Sequence, residues 1–159
     1  MKYLHAYWRM SYVDAPKDPT THNPFLDILD NTNERQSLLL FRTPLSFVIL
    51  NKYPYNAGHL LVLPRREVQD LEQLDGEEQV DFFQTITRSE GILRKALTPD
   101  GINIGINLGT AAGAGIPKHL HCHIVPRWLG DTNFMPVIGE TKVLPMALEY
   151  LWEILRKFV

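Results

Sequence analysis

An α+β fold built on an antiparallel sheet of about five strands is predicted by three features of this 159-residue chain. Apolar runs at 38–41 and 46–50 are joined by a turn and followed by a third strand signal at 59–64, as in consecutive hairpins. A segment from Asp75 to Leu97 repeats apolar residues at helical spacing instead of alternating them. Two more strand signals, INIGINL and HLHCHIVP, follow that helix and bracket a glycine-rich stretch. The length suits one domain, residues 1–159, large enough to bury about two-thirds of the surface that its unfolded chain exposes.

The elements follow in order. Residues 14–24, DAPKDPTTHNP, concentrate proline and small polar residues without periodicity, so they read as the irregular end of an N-terminal extension, 1–24, leading into a short helix near FLDILD. LLLF and SFVIL make a hairpin across Thr43 and Pro44, and NKYPYNAG turns the chain between Leu50 and the third strand, HLLVLP. Asp75 and Glu78 form a capping box opening a long helix, with Val80, Phe83, Ile86, Leu93 and Leu97 as its apolar stripe and TPDG as its stop. After Trp128 a long loop reaches a terminal helix, PMALEYLWEILRKF, within 145–159. Arg156 and Lys157 suit the dipole at its C-terminal end, and Leu148, Leu151, Trp152 and Leu155 are expected to cover the core.

Composition narrows the function. Hydrophobic residues make up 45% of the chain and support a packed core, while the net charge of −2 argues against nucleic acid or an anionic membrane as partner. The start, MKYLHAYWRM, lacks a continuous apolar region, and no later run has the length to span a bilayer. A cytoplasmic protein is the expectation. The single cysteine, Cys122, excludes an internal disulfide and any zinc site needing two thiolates.

The chemistry lies in HLHCHIV at 119–125. In a strand, His119, His121 and His123 project to one side, and Leu120, Cys122 and Ile124 to the other, where Cys122 reads as a small buried hydrophobe. Three roles compete for the imidazoles. As metal ligands they are poorly placed, because His119 and His123 start about 13 Å apart at the rise of a strand, against zinc bonds of about 2.0 Å. As a solvated polar face they are replaceable by serine, threonine or lysine. As catalytic groups, one neutral imidazole attacks while its neighbours orient it and bind the developing charge. The preceding loop, GTAAGAG at 109–115, favours the last role, since small residues let backbone N–H groups approach an anion; the same loop also serves simply to join two strands.

HLHCHIV resembles the signature of the histidine triad (HIT) superfamily, His-x-His-x-His followed by two more hydrophobic residues. FVILNKYPYNAGHLLVLPRR and GINIGINLGTAAGAG are similar to the family's upstream strands and its phosphate-side strand and loop. The stretch 112–143, AGAGIPKHLHCHIVPRWLGDTNFMPVIGETKV, resembles the diadenosine tetraphosphate phosphorylase branch of its bacterial members. The resemblance implies a HIT-like fold with a long helix between the third and fourth strands and a C-terminal helix. It also implies nucleotidyl transfer or hydrolysis at the α-phosphate of a dinucleoside polyphosphate. His121 becomes the nucleophile that forms a nucleotidyl-histidine, His123 the donor to the phosphate oxygens and His119 the group that orders the strand. Asn51 falls toward the ribose, and His59, Asn107, Thr110, Gly113, Gly115 and Lys118 toward the phosphates. A homodimer is the implied assembly.

Two departures qualify this resemblance. Many bacterial relatives hold structural zinc through Cys-x-x-Cys, a later histidine and a triad histidine; NPFL at 23–26 and Glu67 stand at those positions here. No structural zinc and no integral cofactor are therefore expected, and a divalent cation such as Mg2+, if any, enters with the nucleotide. In the loop, Ala114 and Gly115 replace the polar residue that assists the leaving group, so that role passes to Thr110, Asn107 or Lys118. Phosphoramidase-type hydrolysis of adenylated amines and nucleotide binding without turnover are the alternatives.

Overall fold

The computed structural model describes residues 23–131 and 146–159. A first helix, α1 (Pro24–Asp30), begins behind Asn23, whose side chain accepts from the Phe25 N–H while Pro24 supplies a pre-set first-turn backbone. Strands β1 (Leu39–Arg42), β2 (Ser46–Leu50) and β3 (Leu60–Pro64) form the expected antiparallel run, with Phe47 opposite Leu63 and Leu50 opposite Leu60. The long helix α2 (Gly76–Leu97) starts on the Asp75–Glu78 capping box and stops at Thr98, which takes a left-handed conformation. β4 (Gly101–Ile106) and β5 (Cys122–Arg127) complete a five-stranded sheet of order β1-β2-β3-β5-β4, so β5 lies between β3 and the edge strand β4. A last helix, α3 (Leu148–Arg156), follows.

The sheet has an apolar layer on each face because the alternation of its strands is apolar on both. Leu40, Val48, Leu60, Val62 and Ile124 pack under α2 and α3, whereas Leu39, Phe47, Ile49, Leu61 and Leu63 pack on the other face with Phe25 of α1. Leu120 and Cys122 fall on the helix side, as the alternation predicts. Helix α3 buries Leu151 and Leu155 and also closes the β1 edge: Trp152 Nε1 donates to the Leu39 carbonyl at 2.8 Å, and the Arg156 guanidinium donates to the Leu40 carbonyl. Covering an edge in this way removes a template for unwanted strand pairing. Among the described residues, no helix is long and apolar enough to cross a membrane.

Three expectations are revised. The buried stripe of α2 runs through Phe82, Thr85, Ile86, Ser89, Ile92 and Leu93, while Val80 and Phe83 are 57% and 70% exposed. The stripe includes two small hydroxyl residues that an apolar-only pattern passes over, and Ser89 satisfies itself by donating to the Thr85 carbonyl at 2.7 Å. The histidine strand begins at Cys122 rather than His119, because β3 ends at Pro64 and its last pair with β5 is Val62 opposite Cys122. Before that, the chain is tied by Leu120 N–H to the Val68 carbonyl at 2.6 Å. The terminal helix begins at Leu148, and Pro145, like residues 1–22, lies outside the described residues.

The revised stripe has a measurable consequence. Leu93→Ala, at a position with no exposure, is expected to cost about 2–5 kcal/mol of unfolding free energy. Val80→Ala is expected to cost less than about 1 kcal/mol. Urea denaturation of both variants checks this, and equal losses would put the helix in the wrong register.

Candidate active site

Asn51 follows β2 and His59 precedes β3, and Asn51 N–H donates to the His59 carbonyl at 2.8 Å, closing the intervening loop. Gly58 makes this closure possible: its φ of +78° suits glycine, and an added Cβ would stand 2.5 Å from a Leu97 methyl. Within the loop, the Tyr55 N–H and the Asn51 side-chain amide both point at His59 Nδ1, at 3.0 and 3.2 Å. Two donors aimed at one ring nitrogen require a lone pair there, so neutral His59 carries its proton on Nε2. That nitrogen lies 3.0 Å from His123 Nδ1. His123 therefore accepts on Nδ1 and carries its own proton on Nε2. The Tyr55 ring stacks on His123 at 5.4 Å, fixing the ring plane.

A second chain of contacts assigns the other two imidazoles. His121 Nδ1 lies 2.8 Å from the His119 carbonyl, which can only accept, so the proton of neutral His121 is on Nδ1 and the lone pair on Nε2. His119 Nε2 likewise donates to the Pro64 carbonyl at 2.8 Å, leaving Nδ1 to accept from the Asn23 amide at 2.8 Å. The second N–H of Asn23 goes to the Glu67 carboxylate. Asn23, Glu67 and His119 thus form one hydrogen-bonded cluster. It does not fit a zinc ion. An amide nitrogen is no ligand, Leu26 brings no donor, both ring nitrogens of His119 are committed, and no cluster of metal-binding side chains occurs among the described residues.

Burial pushes the His121 imidazole below its ordinary value of 6.5, against the upward pull of the His119 carbonyl. Burial lowers His119 as well, opposed by the Pro64 carbonyl and the Glu67 charge. A neutral His121 with an Nε2 lone pair is a nucleophile that needs no base. Phe25 flanks its ring at 5.5 Å and His123 stands edge-on at 5.0 Å. Cys122 has no such potential, since burial raises its thiol to about 11.

The glycine-rich loop forms a single tight turn, Thr110–Ala112, between Gly109 and Gly113 at φ +75° and +91°. Its Gly113 and Ala114 N–H groups donate to the Thr110 and Gly109 carbonyls at 3.0 and 3.3 Å, so these two hold the loop together rather than face a ligand. Thr110 and Gly113 are exposed, and Gly115 and Lys118 lie half-buried on the segment running into His119. Asn107 joins His123 at a cavity of about 380 Å³ on the β4–β5 side. Tyr55, Asn103 and Asp131 share that cavity and were not expected there. One signal for it was available: Asn103, Gly105 and Asn107 alternate with isoleucines as the histidines alternate with apolar residues.

A model of the HIT domain family matches residues 32–128. Similar curated proteins include AP-4-A phosphorylase of Mycobacterium tuberculosis, 40% identical over 148 residues that cover 89% of this chain and 75% of the relative. An asymmetrical bis(5'-nucleosyl)-tetraphosphatase of Schizosaccharomyces pombe is 37% identical over 60% of this chain and 52% of its own length. Among solved structures, a hypothetical histidine triad nucleotide-binding protein of Sulfolobus tokodaii superimposes with TM-score 0.69 at 25% identity, covering 86% of this chain and 91% of that one. A zinc-bound histidine triad family protein of Mycobacterium smegmatis gives 0.63 at 28% identity, covering 76% and 82%.

The assigned protons and lowered pKa values set a pH dependence. The unfolded imidazoles take up protons near pH 6.5 while the folded ones resist until lower pH. This contribution to stability is therefore complete above about pH 6.5 and is lost as pH falls through the folded values. Long-range nitrogen–proton NMR is expected to show His121 protonated on Nδ1 and titrating below 6.5, with the melting temperature declining over the same interval. A midpoint above 6.5 would contradict the assignment.

Proposed function

The chain belongs to the HIT domain family, and from that premise we propose that it is a nucleotide hydrolase or phosphorylase cleaving dinucleoside polyphosphates at the α-phosphate. His121 Nε2 attacks the α-phosphorus to give a nucleotidyl-histidine, and phosphate or water then takes the nucleotidyl group from it. The observation that carries this reading is the hydrogen bond from His121 Nδ1 to the His119 carbonyl, which leaves Nε2 as the lone-pair-bearing nitrogen of a neutral, buried ring. The similarity to AP-4-A phosphorylase supports the substrate class.

Other residues take roles around that nitrogen. His123, holding its proton on Nε2 through the His59 relay, donates to the phosphoryl oxygens as charge develops there. His119 holds the carbonyl that orients His121 and is itself held by Asn23. Asn51 supports His59 and lies toward the ribose, and Asn107 with Thr110, Gly113, Gly115 and Lys118 attends the phosphates. Any Mg2+ arrives with the nucleotide. A homodimer is the assembly that suits the edge strand β4: Ile104 is 50% exposed there, and Phe83 of α2 is 70% exposed beside the same apolar groove. The reading includes a cytoplasmic location and no nucleic acid or membrane partner.

His121→Ala is expected to reduce turnover of diadenosine tetraphosphate at least 1,000-fold, with melting behaviour retained. Acid-labile labelling from an α-labelled nucleotide should vanish with it. With phosphate present, the wild-type chain is expected to release ADP, so AMP and ATP as sole products would make it a hydrolase. Near-normal turnover by His121→Ala would end the covalent reading.

The Asn23–Glu67–His119 cluster leads to a separate expectation: the purified chain carries no stoichiometric zinc and keeps its melting temperature in a chelator. Elemental analysis checks it. One zinc per chain would mean that His5 or His22, both outside the described residues, belongs to a different site.

A further inference from the structure

We infer that the cavity on the far side of His123 receives the departing half of the substrate, a nucleoside polyphosphate. This rests on the reading of His121 as nucleophile and adds to it a binding site for the leaving group. In the register of β4 and β5, Gly105 lies directly opposite His123. Residues paired in this way project to the same face of the sheet. Any other residue at 105 would place a side chain beside the imidazole, and nothing lies within 4 Å of a Cβ built there. Glycine thus leaves the floor of the cavity open. The volume of this open cavity, about 380 Å³, falls within the range of ligand pockets, about 300–1,000 Å³.

The walls are built and held. Arg127 donates from Nε and Nη2 to the two oxygens of Asp131, at 2.7 and 2.8 Å, and from Nη1 to Asn103 Oδ1 at 2.9 Å. Asp131 is anchored in turn by the Asn56 amide at 2.8 Å and the Trp128 N–H at 3.2 Å. This fork is rigid, and it spends three of the five guanidinium N–H groups, leaving two. The contact also turns Asn103 so that its oxygen faces Arg127 and its amide N–H groups remain for a ligand. Asn107 adds a further amide at the same cavity. The surface offered combines amide N–H donors, which suit phosphate oxygens, with the Asp131 carboxylate, whose charge Arg127 meets.

The reaction requires a site in this place. As the bond from His121 Nε2 to the α-phosphorus forms, the bond from phosphorus to the bridging oxygen breaks opposite it, and its electron pair leaves on that oxygen, which becomes the terminal oxygen of the departing nucleoside polyphosphate. The Phe25 ring lies 5.5 Å from that of His121, and we place the retained nucleotide beside it. His123 lies 5.0 Å from His121 and lines the cavity. The acceptor must approach the phosphorus from the direction the leaving group vacated. Its oxygen bonds to phosphorus, its proton passes to water at the open mouth of the cavity, and the electron pair of the breaking P–N bond returns to His121 Nε2 as the lone pair.

The test compares two substrates that give the same adenylyl-His121 but differ in leaving group: diadenosine tetraphosphate, and adenosine 5′-phosphoramidate, whose leaving group is too small to need the cavity. In Gly105→Val and in Asn103→Ala, the ratio of kcat/KM for the first substrate to that for the second is expected to fall at least tenfold. Asn103 is exposed, so its truncation keeps the test intact should Gly105→Val fail to fold. A ratio within twofold of wild type in the folded variants, with the wild-type chain cleaving both substrates, would overturn the inference alone. A wild-type chain that cleaves neither would overturn the nucleotide-transfer reading and this inference with it.

Discussion

The hydrogen bond from His121 Nδ1 to the carbonyl two residues earlier is the constraint on which the site depends. A neutral imidazole has one proton and one lone pair, and fixing the proton on Nδ1 determines which nitrogen can attack. The carbonyl of His119 can perform this task only if its own residue is immobile. His119 has no exposure and is held at both ring nitrogens, by the Pro64 carbonyl at the end of β3 and by the Asn23 amide at the start of α1. The orientation of the His121 ring is therefore inherited from the packing of two elements far from it in sequence.

Asn23 has three jobs at once. Its oxygen caps α1, one amide hydrogen meets His119, and the other meets Glu67 beyond β3. Three segments of chain thus converge on it: the N-terminus of α1, the segment after β3 and the approach to β5. Hydrogen bonds achieve this only while water is kept out, since an exposed amide would exchange its partners freely. Phe25 and Phe47, with ring centroids 5.7 and 6.3 Å from that of His119, supply the exclusion.

Much of this was legible in the sequence, and the parts that were not share a cause. The strands, the Asp75–Glu78 cap and the sidedness of the histidines follow from local periodicity and turn chemistry, which a single sequence displays directly. The buried stripe of α2 was misread because Thr85 and Ser89 are buried by position rather than by character. Asn23 and Glu67 were recognisable as departures from a resembling pattern, yet their mutual bond spans 44 positions and no local signal announces it. The Arg127–Asp131 pair was not read from the sequence, and nothing local places Asn103 against it. Contacts made by single polar residues across the sheet are set by strand order, and here β5 enters between β3 and β4 out of sequence.

The same features decide how the protein handles charge. The cavity arginine is matched by Asp131, so beyond Lys118 the proposed site relies on dipoles rather than on further cations. These are the Nε2–H that the His59 relay leaves on His123, the Asn103 amide turned by Arg127, and the amide of Asn107. Such donors cost nothing to reorganise as charge grows on the phosphoryl oxygens, and in a partly buried setting each is worth more than it would be in water. They also hold a spent anionic product less firmly than unpaired cations would, because they lack the long-range attraction of a net charge. The proposed two-step reaction, in which one anion must leave before another enters, would benefit from this balance.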